Sequence, residues 1–345
     1  MPNLITKINF ANIKILFFTA RRKFMDNNKT FSSKFIGKKD GMLRAMFYNI
    51  YGYMWYPDKE NAPHLSSGPI SLRQQMETEL ISAYAPDVIG MQEYSEHYHK
   101  GMTPLMLDIG YAEVDVSHTK ARNDGTKINY TPLFYRPDTL NLIDGGFVMY
   151  PKTMPDPNNE GEVLNINDVS SKSLTWAVFE DKASGKRFIA ICTHFMYSAS
   201  YLTNELRHEV RVQNANNLLK TVAKLRENPE YRLLPVIMGG DLNCTKDSIE
   251  FKTLTDGGME WLWDISPVRD TSRGLKQYAT YDETIGKYVK YEMPSEEPEE
   301  SIDHIFCMQP ENGKKAEIHN YVTVTDRLAL LSSDHCPRFT DFSLL

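Results

Sequence analysis

Short apolar stretches separated by polar turns make up most of the chain from Leu43 onwards. They are rich in β-branched and aromatic residues, which is typical of buried β-strands. The predicted strands span residues 43–48, 88–91, 131–136, 174–180, 188–193, 236–238, 302–307 and 339–344. Residues 182–186 contain Ser and Gly between two of these strands and predict a hairpin turn.

Two other segments have the repeat of an amphipathic helix. Leu72, Met76, Leu80 and Ala83 fall on one face of a helix that Pro86 would end, so we predict that this face is buried. A longer helix is predicted over about residues 202–226. Its candidate buried positions are Leu206, Val210, Ala215, Leu218, Val222 and Leu225.

Predicted strands outnumber predicted helices, and short turns join many of them. This pattern favours an α/β fold of two packed mixed sheets flanked by helices over a doubly wound parallel sheet. Residues 1–41 are polar, rich in lysine and without clear periodicity. They predict a loosely ordered N-terminal extension, followed by one domain over residues 42–345.

Charge and hydropathy narrow the class of protein. The 345 residues carry a formal charge of −6 at pH 7, which disfavours a nucleic-acid or anionic-membrane partner because such surfaces are usually basic. No apolar run approaches the ~20 residues of a membrane-spanning helix, and the N-terminus lacks the apolar region of a secretory signal. We expect a cytoplasmic monomer without a transmembrane segment.

The four cysteines give no sign of a zinc or redox motif. Cys192, Cys244, Cys307 and Cys336 contain no CxxC pair, which is the spacing typical of zinc knuckles and thioredoxin-like sites. We expect them to pack as small apolar side chains near the ends of strands. The alternative is an oxidation-sensitive thiol cluster beside the functional site.

Polar residues recur where the predicted strands begin or end. An isolated Asn or Asp at such a position is usually a turn residue that hydrogen-bonds its own backbone. A whole series of carboxylates, amides and imidazoles is harder to attribute to turns, and it indicates a site at the rim of a sheet. The series comprises Asn49, Glu93, His194, Asp241, Asn243, Asp303, His304, Asp334 and His335.

These residue types are those that hydrolysis of a phosphate ester needs. Mg²⁺ binds through one or two carboxylates and several waters, and Glu93 is the best ligand candidate, with Asp334 as the second. A water must be oriented and deprotonated in line with the leaving group, which suits Asp241 or an Asp–His pair.

The neutral and titrating groups complete the predicted site. Asn49 and Asn243 can donate hydrogen bonds to phosphate oxygens without disturbing the metal. His194 and His335 can donate to the phosphate or protonate a leaving group near neutral pH. The residues alone therefore predict a metal-dependent phosphoesterase.

Seven segments, in this order along the chain, resemble the endonuclease/exonuclease/phosphatase superfamily. They are YNI at 48–50, PDVIGMQE at 86–93, PLFYR at 132–136, THF at 193–195, GDLN at 240–243, SIDHIF at 301–306 and SDH at 333–335. GDLN alone is a modest signal, but GDLN between PDVIGMQE and SDH is a strong one. The segments span nearly all of residues 42–345.

The resemblance implies a four-layer α/β/β/α sandwich and a hydrolase that uses Mg²⁺, or Mn²⁺ in its place. It also implies that Asp303 orients His335. The histidine after Thr193 places the chain nearest the branch that contains pancreatic deoxyribonuclease and bacterial sphingomyelinases. The implied roles are Glu93 and Asp334 at the metal, Asn49 and Asn243 on the phosphate, Asp241 on the attacking water, and His194 as a second acid or phosphate ligand.

The chain departs from the family pattern on one side of the implied site. Many relatives have a Glu shortly before the PxFYR segment that pairs with the first histidine, and the nearest match here is Asn129. Relatives also often have Asp or His after the THF triplet, where this chain has Met196 and Tyr197. Both departures concern the leaving-group side and leave the metal site intact.

The substrate stays open among a small molecule, a lipid headgroup and a nucleic acid. An aromatic loop at residues 51–56 would stack on a substrate or pack on the sheet. Arg207 and Arg211 would form either an anion clamp or a solvated face with Glu205 and Glu209. Five glutamates within residues 291–301 would repel a long polyanion and favour a smaller phosphoester. The alternatives are a nonspecific DNA endonuclease and a scaffold that binds a phosphorylated ligand without turnover.

Overall fold

The computed structural model describes residues 35–52, 70–114, 129–156, 159–166, 172–197, 202–269, 278–282, 287–291 and 301–345. All of them belong to one compact unit, Phe35–Leu345. Three predicted features lie wholly or mostly outside the described residues. These are the N-terminal extension, the aromatic loop after Tyr51 and the acidic stretch before Ser301.

The described residues form nineteen strands and six helices. The strands are β1 (Leu43–Asn49), β2 (Val88–Gln92), β3 (Tyr94–Ser95), β4 (Ala112–Glu113), β5 (Asn129–Tyr130), β6 (Leu133–Tyr135), β7 (Leu140–Met149), β8 (Thr153–Pro155), β9 (Val163–Asn165), β10 (Ser173–Asp181), β11 (Arg187–His194), β12 (Val236–Asp241), β13 (Glu260–Trp261), β14 (Tyr278–Asp282), β15 (Lys287–Tyr291), β16 (Asp303–Met308), β17 (Ala316–Ile318), β18 (Val322–Thr323) and β19 (Arg338–Leu344). The helices are α1 (Ile70–Tyr84), α2 (Glu96–Asp108), α3 (Asn204–Glu227), α4 (Ile249–Asp256), α5 (Leu262–Ile265) and α6 (Arg327–Ser332).

Most strands belong to two mixed sheets. The first sheet has seven strands in the order β17–β19–β1–β2–β6–β4, with β18 also paired to β19. The second sheet has six strands in the order β13–β16–β12–β11–β10–β7. The pairs β1–β2 and β11–β12 are parallel, whereas the other pairs in these sheets are antiparallel. The prediction of two mixed sheets is confirmed.

Alternation along the strands divides the core into layers, because successive side chains point to opposite faces. Ala45 and Phe47 of β1 pack between the sheets against Cys192 and Ile237 of the second sheet. The opposite face of the second sheet is covered by α3, whose six predicted buried positions are all buried. On the outer side of the first sheet, Tyr84 of α1 stacks at a tilt on Phe339 of β19, with ring centroids 5.6 Å apart. The result is the expected α/β/β/α order of layers.

The prediction of which face of α1 is buried is wrong. Leu80 is fully buried, but Leu72 is 48% exposed and Met76 and Ala83 are only half-buried. The most deeply buried positions include polar residues instead, namely Arg73, Gln74, Glu77 and Thr78. Arg73 donates to loop carbonyl oxygens and Glu77 accepts from Tyr98 of α2, so tertiary hydrogen bonds help to orient this helix together with apolar burial at its C-terminal end.

Two glycines of β12 leave room for groups that come close to the strand. A Cβ atom on Gly239 would lie 2.4 Å from the Phe47 ring. Gly240 has a φ of +147°, and a Cβ there would lie 1.9 Å from the carbonyl oxygen of Thr193. Packing inside β12 therefore requires glycine at both positions.

The four cysteines lie in the apolar core. All four cysteines are buried, and burial raises the pKa of the Cys307 thiol to about 12. They therefore pack as small apolar side chains.

Among the described residues, no helix has both the length and the apolar character needed to cross a membrane.

Candidate active site

The register of the second sheet places three polar residues side by side. β11 and β12 run parallel and end together, so His194 pairs with Asp241. β16 runs antiparallel to β12 and begins beside its end, so Asp303 pairs with Asp241 on the other side. All three residues are buried. The predicted strand 236–238 was too short, because β12 continues to Asp241.

The first sheet supplies a second group of residues that meets this row. The parallel strands β1 and β2 also end together, with Asn49 opposite Gln92 and Glu93 next in the chain. The Asn49 amide donates to Glu93 Oε1 at 3.3 Å and to Asp241 Oδ2 at 3.0 Å. One amide group therefore links carboxylates from both sheets, whereas the sequence predicted that it donates to phosphate.

Two residues of the site adopt a backbone conformation that is unfavourable for non-glycine residues. Glu93 has a φ of +60° and Asn243 a φ of +50°. The left-handed region costs about 1–3 kcal/mol and persists only where surrounding contacts hold it. Asn243 is held by Asp241 Oδ1, which accepts its backbone N–H at 2.8 Å, and by its own amide, which donates to Phe195 O at 3.0 Å. Such strain is typical of functional sites.

His335 lies beside three carboxylates. Its Nδ1 is 2.8 Å from Asp303 Oδ2, the contact that the family resemblance implies. Its Nε2 is 3.8 Å from Asp241 Oδ2 and 3.8 Å from Asp334 Oδ1. Burial alone would lower the pKa of His335, but the negative charges of Asp303 and Asp334 outweigh it and raise the pKa to about 10. In this structure His335 is a cation at neutral pH.

The partner of His194 is a lysine that the sequence did not single out. Lys172 Nζ lies 2.7 Å from His194 Nε2 and 3.2 Å from Nδ1. Burial, and then the charge of Lys172, lower the pKa of His194. Because an ammonium group only donates hydrogen bonds, the imidazole accepts one and is neutral. A neutral His194 is poorly suited to act as a general acid.

The hairpin register would have revealed Lys172. The turn predicted at 182–186 joins β10 to β11, and the pairing carries back to Ser173 opposite His194. The residue that precedes Ser173 is Lys172, so the register brings Lys172 close to His194. A lone lysine before a strand carries no signal by itself, so only the register identifies it.

Arg73 of α1 holds the loops on either side of the site together. Its guanidinium donates to the carbonyl oxygens of Ile50, Tyr51 and Ser332 at 3.1–3.2 Å. The first two follow Asn49, and the third immediately precedes the SDH segment. Ser333 adds a direct link, since its hydroxyl donates to Asn49 O at 2.6 Å. The buried polar face of α1 thereby fixes the loop after Asn49 and the SDH segment relative to each other.

The cluster offers two arrangements of groups that could hold a metal ion. Atoms of Asp241, Asp303 and His335 lie within 4.8 Å of one another. The other arrangement centres on Glu93, whose buried Oε2 has no hydrogen-bond partner among the described residues. A buried carboxylate oxygen without a donor is what a cation would satisfy. We favour the Glu93 arrangement because Mg²⁺ prefers oxygen ligands and the His335 ring is already bonded to Asp303.

The remaining predicted residues lie at the edge of the site or outside it. Arg211 is buried and pairs with Glu250 of α4 at 2.5 Å, so it is neither an anion clamp nor a partner of the neighbouring helix glutamates. It also donates to Tyr197 O at 3.1 Å and so fixes the loop after His194. The side chain of Asn129 lies outside the described residues. His304 bonds to Cys244 O at 2.9 Å and belongs to the core.

Comparisons with known proteins agree with this architecture. No family model matches the sequence. Human protein angel homolog 1 is 26% identical over 200 residues, a match that covers 56% of this chain and 27% of that protein. The match thus spans little more than a quarter of the relative's length.

Solved structures match over almost their whole length. An endonuclease/exonuclease/phosphatase from Bacteroides vulgatus has a TM-score of 0.61 at 22% identity, over 88% of this chain and 99% of that one. A mannosyl-6-phosphatase from Bacteroides thetaiotaomicron has a TM-score of 0.61 at 20% identity, over 88% and 100% of the two chains. The chain therefore has the fold of the endonuclease/exonuclease/phosphatase proteins, and the resemblance inferred from its motifs is confirmed.

Proposed function

We propose that this chain, which shares the endonuclease/exonuclease/phosphatase fold, is a divalent-metal-dependent hydrolase of phosphate esters. One observation carries the proposal. Asn49, Glu93, Asp241, Asp303 and His335 come from separate strand ends or loops of both sheets, and contacts of 2.8–3.8 Å join them into one buried cluster. Structural roles do not require so many ionisable groups in one place, since buried charges are costly unless they serve a purpose.

Each residue then has a defined task in the reaction. The oxygen of a water molecule attacks phosphorus while the bond to the ester oxygen breaks. Asp241 accepts the proton of the attacking water, and the Asn49 amide keeps that carboxylate in place. Asp303 fixes the ring orientation of His335. The departing oxygen takes its proton from His335. His194, which is neutral, donates a hydrogen bond to the phosphate, and Asn243 contributes its amide to the phosphate oxygens.

The metal would be held by Glu93, with Asp334 as the second carboxylate. Mg²⁺ or Mn²⁺ bound there would balance the charge of the phosphate oxygens and lower the pKa of water. The unsatisfied Oε2 of Glu93 and the oxygen-rich donor set fit such an ion,. We also propose that residues 42–345 constitute the catalytic domain.

A panel of phosphate esters tests the proposal. Purified protein should hydrolyse at least one of p-nitrophenyl phosphate, bis-p-nitrophenyl phosphate, sugar phosphates and a lipid phosphodiester in Mg²⁺ or Mn²⁺, and EDTA should abolish the activity. Glu93→Ala, Asp241→Ala and His335→Ala should each remove most of it while circular dichroism stays unchanged. Full activity in all three variants would overturn the assignment of roles. Turnover of any ester would also eliminate the scaffold that only binds.

A plasmid-nicking assay at two salt concentrations separates a nonspecific DNA endonuclease from an enzyme for smaller esters. Binding through many phosphate contacts weakens steeply with salt. Nicking at low salt that disappears at high salt would support the nuclease, and no nicking at low salt would exclude it.

A further inference from the structure

Lys172 is a buried cation that no carboxylate contacts directly. Only 6% of the residue is exposed, and among the described residues no carboxylate lies within 4.0 Å of Nζ. Its hydrogen-bonding partner is the neutral imidazole of His194. The protein thus keeps a positive charge out of water and gives it only a neutral acceptor, which costs free energy of folding.

The ammonium group lies beside the site rather than in a separate part of the core. His194, which it contacts, also lies 3.4 Å from Asp241 Oδ2 through the same Nε2. The carboxylates of Glu93 and Asp241 act on Lys172 electrostatically, although burial is the larger influence and lowers the pKa of Lys172 to about 8. An anion that entered this cluster would meet the lysine next to His194.

We propose that Lys172 binds an oxygen of the substrate phosphate, and that it makes the site selective for phosphate monoesters over phosphodiesters. This inference rests on the proposed hydrolase function and names its substrate class. A monoester carries two negative charges near neutral pH and a diester carries one. Since the proposed site contains the carboxylates of Glu93, Asp241, Asp303 and Asp334, each added negative charge on the substrate needs added positive charge in the site.

The reaction that follows is R–O–PO₃²⁻ + H₂O → R–OH + HPO₄²⁻. The P–O ester bond breaks, a new P–O bond forms to the water oxygen, and R–O takes up one proton. Lys172 keeps its proton throughout and contributes a charge-assisted hydrogen bond. It therefore acts on the substrate as a binding residue and not as the acid or base.

The experiment compares two substrates in four proteins. The rate constant kcat/KM is measured in Mg²⁺ for p-nitrophenyl phosphate and bis-p-nitrophenyl phosphate, which share a leaving group and differ in charge. The proteins are the wild type, Lys172→Met, Lys172→Arg and Lys220→Met. Lys220 lies on the exposed side of α3 and provides the same substitution away from the site.

Wild type should prefer the monoester. Lys172→Met should lower monoester hydrolysis by roughly 10- to 100-fold, the usual value of a hydrogen bond to a charged group, and lower diester hydrolysis by less than about threefold. Lys172→Arg should restore much of the preference, and Lys220→Met should match the wild type. A wild-type preference for the diester, or an equal loss for both substrates in Lys172→Met, would overturn the inference.

If neither ester is hydrolysed, that result counts against the proposed function. The role of Lys172 can then still be tested by measuring binding alone. Calorimetry then compares inorganic phosphate with dimethyl phosphate, with no metal added. Wild type should bind phosphate more tightly than dimethyl phosphate, and Lys172→Met should lose that difference. Equal affinities in both proteins would refute the role of Lys172. The Met variant should melt no lower than the wild type, because it replaces an unpaired buried charge with an apolar side chain of similar length.

Discussion

The two sides of the candidate site differ in how their charged groups are paired. On the carboxylate side, which we define as Asn49, Glu93, Asp241, Asp303 and His335, charges and amide groups contact one another in a continuous chain. On the lysine side, which consists of Lys172 and His194, one positive charge meets a neutral ring.

This difference suggests that the carboxylate side determines the reaction rate and the lysine side determines the preferred substrate. The carboxylate side is a network in which hydrogen bonds fix the orientation of each group. Such preorganisation is what catalysis requires. On the lysine side no carboxylate contacts the ammonium group directly, so a substrate anion could take that position. Changes on the carboxylate side should therefore remove activity against every substrate, whereas changes on the lysine side should alter which substrate is preferred.

The largest effect is expected at Asp241. Asp241→Asn keeps the shape of the side chain but cannot accept the proton of water, so kcat should fall by about 10²–10⁴-fold for monoester and diester alike. Steady-state kinetics with both p-nitrophenyl esters measures it. Asp247→Asn, an exposed aspartate in the same segment, is the control and should behave as wild type. A loss confined to one substrate would erase the distinction between the two sides.

A smaller effect is expected at His194. A neutral imidazole does not protonate the departing oxygen, so His194→Ala should slow an alkyl phosphate and a p-nitrophenyl ester by a similar factor, roughly tenfold for one lost hydrogen bond. The ratio of the two rates is the readout, because p-nitrophenolate leaves without a proton. A loss confined to the alkyl phosphate would assign the proton transfer to His194 and contradict its neutral state.

Arg73 should affect turnover through position rather than contact. Arg73→Lys retains the charge but not the fork that binds three carbonyl oxygens, so the segments around Asn49 and Asp334 should lose their alignment. We expect kcat to fall by roughly 10-fold or more with little change in KM, since small displacements are costly in catalysis. The free energy of unfolding should drop by about 1–3 kcal/mol.

The matched control for Arg73 is its exposed neighbour. Leu72→Ala should change the free energy of unfolding by less than about 0.5 kcal/mol and leave kcat unaltered. Urea unfolding and steady-state kinetics provide both numbers. A lower stability in Arg73→Lys with wild-type kcat would show that the arginine serves only the fold.

The smallest effect is a pH dependence on the lysine side. Burial lowers the pKa of Lys172 to about 8, so the ammonium form, and with it phosphate affinity, should decline above that pH. The groups facing it are His194, whose pKa is also lowered by burial, and the carboxylates of Glu93 and Asp241. From about pH 7 to 9, metal-free phosphate affinity should fall roughly tenfold in wild type. Lys172→Arg should stay nearly constant because arginine remains charged, and a parallel decline would contradict the prediction.

Much of the scaffold could be predicted because it depends on local pattern. The strand that ends at Asn49 and the buried positions of α3 follow from apolar spacing alone. The polar groups at strand ends could be recognised as a site because parallel strands end at a common edge. Family motifs then implied contacts such as that between Asp303 and His335.

The rest depends on tertiary contacts that local pattern does not encode. The face of α1 was mispredicted because Arg73 finds its acceptors in loops distant along the chain. Lys172 went unnoticed because its importance arises from the hairpin register that brings it to His194. The need for glycine at position 239 is not visible in the local pattern, because the ring that needs its space, Phe47, lies on the other sheet.

The most direct test of the account is the position of a bound cation. Crystals grown with Mn²⁺ should show a single anomalous-scattering peak in the pocket, about 2.0–2.3 Å from a carboxylate oxygen of Glu93, and Glu93→Gln should abolish it. A peak bonded instead to Asp303 and His335, or no peak near any of these residues at saturating Mn²⁺, would contradict the central claim.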